Sequence, residues 1–165
     1  MKTRLFAVAA TIILAIALAV LATAPIASAQ GSKLEGVWKA TEVTLTGPNA
    51  RTVMPSEPGF LIITKKHFSN FGVNGDRPQA VLPQKGATDA QKLAAWTPFS
   101  ATLGTYEVKG TTFTIHPIND KNPIEPGSFS TYDFKIEGDT LIFKRTVTQA
   151  GPTPDSMTIK LTRLE

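Results

Sequence analysis

Two histidines, two tyrosines and no cysteine bound the chemistry this chain can perform. Without cysteine there is no disulfide, no thiolate zinc site and no catalytic thiol. His67 and His116 lie far apart in the sequence, with no paired spacing of the H-x₃-H kind that metal ligands use. No metal or other cofactor is therefore expected. No G-x-S-x-G nucleophile motif occurs; Ser69 follows His67 by two positions in an extended run, without a third group to complete a triad. The glycines of "GVNGDRP", residues 72–78, precede neither a lysine nor a helix of the form that cradles phosphate. What remains is acid–base work by His67, Tyr106, Tyr132, Asp133 or Arg145 around a bound molecule. No residue is assigned a catalytic role on this basis.

Those side chains must be held by β-structure. The segment 34–165 is rich in Thr, Val, Ile and Phe, in short runs broken by Gly, Pro and Asp. Strands are expected over residues 34–45, 59–65, 67–73, 102–109, 111–118, 128–137, 139–147 and 156–164. "EVKGTTF" and "IEGDTLIF" read as tight hairpins, at Lys109-Gly110 and Gly138-Asp139. One Ala-rich segment, "ATDAQKLAAWTPF", predicts a helix over about 88–97, capped by Thr88 or Asp89 and closed by Pro98. Leu93 and Trp96 form its apolar stripe, expected to pack on the sheet or over an opening. Alternation sorts the strand faces. His67 shares a face with Phe71 and Val73, Tyr106 with Val108, and Tyr132 with Phe134 and Ile136. If these faces look inward, His67, Phe71, Tyr106, Tyr132, Phe134 and Arg145 line an apolar pocket with a few polar tips, the usual make-up of a small-molecule site. His116 and Asp133 are expected to face solvent.

Eight short antiparallel strands with a single helix suit an all-β fold, either a closed up-and-down barrel or a β-sandwich; the hairpin-rich order favours the barrel. In the last strand Met157, Ile159, Leu161 and Arg163 share the apolar face, so Arg163 turns inward and needs a partner. Trp38 lies on the face of Leu34, Gly36 and Ala40 in the first strand, which a closed barrel sets beside the last.

Gly36-Val37-Trp38, with an inward arginine at the end of the last strand, resembles the lipocalin and calycin pattern. The order "LEGVWKATEV", "GFLIITKKHFS", a helix, "LGTYEVKGTTFTIHPI" and "IEGDTLIFKR" is similar to that of bacterial lipocalin-like domain proteins. The resemblance implies that Trp38 closes one end of the barrel, that Arg163 packs over it, and that Gly36, Trp38 and Arg163 are structural. It also implies a small hydrophobic ligand in the barrel. Some lipocalin-like barrels act as isomerases or cyclases, which keeps an enzyme reading open, with His67 or Tyr106 as acid–base group. A packed, non-binding envelope protein is the third reading.

Residues 1–29 read as a signal peptide: the basic "MKTR", an apolar run, then "PIASA" with Ala27 and Ala29 at peptidase spacing. Cleavage after Ala29 leaves residues 30–165 as one exported barrel domain, periplasmic or secreted; the alternative is a retained membrane anchor. The formal net charge is +4, and two of those charges, Lys2 and Arg4, lie in the leader. So mild a balance points away from nucleic acid. The expected partner is a small apolar molecule, with no membrane association after cleavage.

Overall fold

The protein is described by a computed structural model covering Gly31, residues 33–153 and residues 157–165. The leader and its cleavage site fall outside these residues. Ten strands form one sheet: β1 (Gly36–Leu45), β2 (Arg51–Val53), β3 (Phe60–Ile63), β4 (His67–Val73), β5 (Phe99–Lys109), β6 (Thr112–Asp120), β7 (Ser130–Glu137), β8 (Thr140–Thr148), β9 (Gly151–Pro152) and β10 (Met157–Arg163). Eight of them run as an antiparallel ring in the order β1-β3-β4-β5-β6-β7-β8-β10. The ring closes because β10 pairs on both sides: Ile159 lies opposite Val43 of β1 and opposite Phe143 of β8. The short β2 and β9 are hairpin extensions of β1 and β8. Closure leaves none of the eight with a free edge, which removes the aggregation hazard an all-β chain without disulfides would otherwise carry.

Period-2 alternation places Trp38, Leu61, Ile63, Phe68, Phe113, Phe134, Leu141, Phe143 and Leu161 inside, where they form one buried cluster. Three positions shift the register. In β1 the register with β10 slips between Ala40 and Glu42. This bulge lets Trp38 and Ala40 face inward below it and Val43 and Leu45 above it. A second slip falls between Thr131 and Tyr132 of β7, where Thr146 of β8 has no register partner, and a third between Leu103 and Gly104 of β5, where Ile118 of β6 has none.

The connections divide by end. At one end are the short turns 64–66, 110–111 and 138–139. Gly110 and Gly138 hold the first turn position of two hairpins with φ of +59° and +58°, and among the described residues no non-glycine has positive φ, the pattern of a type II′ turn. The first hairpin turn is thus Gly110-Thr111, one residue later than the sequence suggests, since Lys109 still pairs with Thr112. At the other end are the long connections after β1, β4, β6 and β8. The barrel therefore has a tightly turned closed end and a loop-rich mouth.

Helix α1 (Asp89–Trp96) lies in the β4–β5 connection at the mouth. Its start is fixed by a capping box: Gln91 N–H donates to Thr88 Oγ1 at 3.3 Å and Thr88 N–H to Gln91 Oε1 at 2.9 Å. Gln79 ties it down, donating from Nε2 to the Ala95 carbonyl at 2.9 Å and from its backbone N–H to Glu57 at 2.6 Å. The buried contact is made by Ala95, whereas Leu93 and Trp96 are 64% and 54% exposed. The expected Leu93–Trp96 packing stripe is thus corrected. Small Ala side chains allow the close approach, and the larger residues turn to solvent.

Candidate functional site

Below the mouth the barrel is hollow, with a cavity of about 480 Å³. Its floor is the upper surface of the core, where Leu61, Phe68, Phe113, Phe143 and Leu161 end. Ile115, Tyr132 and Ile159 form the middle of the wall. Leu45, Arg51, Val53, Pro55, Asn74 and Ser100 surround the opening. Among the described residues Arg51 is the one charged residue lining the cavity, and no His, Asp, Glu or Lys lines it. Among the described residues no cluster of three His, Cys, Asp or Glu side chains is placed to hold a metal.

The structure separates the six residues expected to line the pocket. Tyr132 and Phe71 line it. Phe134 is buried beneath it, its ring 6.2 Å from that of Phe143. Tyr106 belongs to the plug near the closed end: its ring stacks on Phe113 at 4.8 Å and its hydroxyl donates to the Thr64 carbonyl at 2.6 Å. His67 is exposed and takes no part in the lining. The reason is the parity of β4. Phe68 opposite buried Ile63 faces inward, which puts His67 and Ser69 outside. Phe71 is 38% exposed, pairs with Phe60 across the sheet at 5.6 Å, and reaches the cavity only at its rim. His116 sits half-exposed on the outer face, 3.9 Å from Glu107.

Arg145, the sixth, shares the inward face of Leu141 and Phe143 in β8 and lies directly opposite Tyr132 of β7, but it is not among the residues that line the cavity. Burial raises the Tyr132 phenol above its ordinary range, against the smaller opposing effects of the Arg145 charge and a hydrogen bond with Ser130. Tyr106 is raised too, by burial first and by the Glu35 charge second. Both phenols therefore stay protonated through the neutral range, as donors rather than bases.

Compared with protein-family models, curated proteins and solved structures, the chain matches none. Its own closed end gives the clearest account of its architecture. Trp38 is fully buried and donates Nε1–H to the Leu34 carbonyl at 2.8 Å. Arg163, its register partner across the β1–β10 seam, lies 4.0 Å above the indole ring. The guanidinium donates from Nη1 to the carbonyls of Glu35 at 2.8 Å and Glu165 at 3.3 Å, and from Nη2 to that of Lys33. It thus ties the segment before β1 to the chain beyond β10. Gly36 makes room for this brace. Its φ is +136°, and a Cβ there would run into Arg163 Nη1 and the Glu165 carbonyl. These three residues contribute to structure; the cavity at the other end is the place for chemistry.

A second, shallow groove lies on the outside, between Leu82 and the Leu93–Trp96 side of α1. Lys121 bridges there, 5.3 Å from the Trp96 ring and donating to the Trp96 carbonyl at 2.7 Å.

Proposed function

We propose that the chain is an exported lipocalin-like protein that binds one small, largely apolar molecule inside its barrel. The observation that carries this reading is the 480 Å³ cavity, walled chiefly by aliphatic and aromatic side chains and reached through the loop-rich end. Ligand pockets fall in the range of about 300–1,000 Å³ and combine apolar walls with a few polar groups. Tyr132, Asn70 and Thr102 are such groups here. The lipocalin-like assignment draws on Gly36, Trp38 and Arg163, and export draws on the leader and its Ala27–Ala29 site. An enzyme in the same barrel would need a base against the ligand, and among the described residues neither an imidazole nor a carboxylate lines the cavity.

Native mass spectrometry of protein collected from its host tests this directly. The expected result is a chain beginning at Gln30 that carries one small adduct, and the emptied protein takes up a fluorescent fatty acid in equimolar amount. No adduct and no uptake would overturn binding. A chain starting at Met1 and remaining with membranes would overturn export.

A further inference from the structure

Arg145 poses a physical problem that a purely apolar ligand leaves unsolved. It is half-buried on the inward face, two residues after Phe143 and directly across from Tyr132; both of these line the cavity, whereas Arg145 is not itself among the lining residues. Its Nε is buried and has no hydrogen-bond partner. None of the ion pairs among the described residues includes it. Among the described residues no carboxylate lines the neighbouring cavity to serve as counter-charge, and the one charged lining residue, Arg51, has the same sign. A desolvated N–H without an acceptor is unfavourable. An apolar residue of similar volume would serve the packing better.

We infer that the cavity takes an amphiphile with an acidic head, and that Arg145 and Tyr132 hold the head while the apolar wall takes the chain. This rests on the binding reading above and adds the charge and orientation of the ligand. The chemistry of the pair fits a carboxylate. A guanidinium offers parallel N–H donors in a fixed fork, and the Tyr132 hydroxyl adds an O–H donor beside it. Arg51 attracts the same head at the mouth. It is exposed, where solvent and salt screen a charge, so it contributes to capture more than to affinity.

The test is calorimetric titration of the mature protein with dodecanoate, dodecanol and dodecylammonium, each below its micellar concentration. The expected order is dodecanoate tightest, dodecanol intermediate and dodecylammonium weakest. Arg145→Met should weaken dodecanoate by about ten- to a hundredfold, the range for hydrogen bonds to charged groups. It should leave dodecanol within about threefold. Tyr132→Phe should weaken dodecanoate less, in the same sense; near-ultraviolet circular dichroism checks that both variants keep their packing. Equal binding of the three ligands would overturn the acidic head and leave the container intact. Loss of dodecanoate on Arg51→Met but not on Arg145→Met would place the head at the rim and overturn its assignment to Arg145. Binding of none of the three to the wild type would remove the container reading and this inference with it.

Discussion

Trp38 is the residue on which the closed end depends. Its ring is fully buried, its N–H is satisfied and the Arg163 guanidinium covers its face. Trp38→Ala removes the largest side chain of the floor, and urea titration should show a loss of about 3–5 kcal/mol. Arg163→Lys keeps the charge but has no planar fork for three carbonyls. A loss of at least about 1 kcal/mol is expected in the same assay. An unchanged midpoint for either variant would contradict the brace. The two raised phenols make a pH prediction. A tyrosine whose folded-state pKa lies above its ordinary value of 10.0 contributes stability that is present below that pH and is lost as pH rises toward the folded value. Urea midpoints should therefore fall as pH rises above about 10. Tyr132→Phe should flatten that fall. An equally steep decline in the variant would assign it to other groups. At this scale the sequence was partly legible. Trp38 and Arg163 announced themselves through strand parity, because each strand has one clearly apolar face. His67 did not, because β4 carries phenylalanine on both parities, at Phe68 and Phe71, and alternation alone cannot choose between them.

At the scale of elements, the eight ring strands fall close to the runs of β-branched and aromatic residues that suggested them. The two short extensions β2 and β9, of three and two residues, are too brief to show any period. The bulge in β1 is invisible for another reason. Thr41 and its neighbours in "KATEV" alternate in type too weakly to mark a slip. Yet that bulge turns Val43 and Leu45 toward the cavity, so it shapes the site. Helix α1 was legible as a helix but not in its facing, since Ala95 rather than Leu93 or Trp96 makes the buried contact. The helix is short and exposed at every residue but Ala95, held by its cap and by the Gln79 bridge. Thr88→Ala removes the capping box at a cost of about 1 kcal/mol. Hydrogen exchange over residues 89–96 should speed up accordingly, while exchange in β7 and β8 stays as in the wild type. A matching rise in the ring strands would mean that the helix and barrel unfold as one unit.

For the molecule as a whole, the division of ends organises the function. Short turns, the Trp38–Arg163 brace and the aromatic plug seal one end. Long loops, α1 and the cation Arg51 surround the other, which is where the proposed ligand would enter and leave. The chain without cysteine relies on packing in the lower half to support a hollow upper half. The decisive measurement fills that hollow. Ile159 stands in the cavity wall opposite Phe143, remote from the brace. Ile159→Trp should occupy the cavity at an overpacking cost of about 1–3 kcal/mol, leaving a folded barrel. Titrated with a fluorescent fatty acid, the wild type should bind one equivalent and the folded variant none. Equal binding by both, or binding by neither, would contradict a ligand held within the barrel.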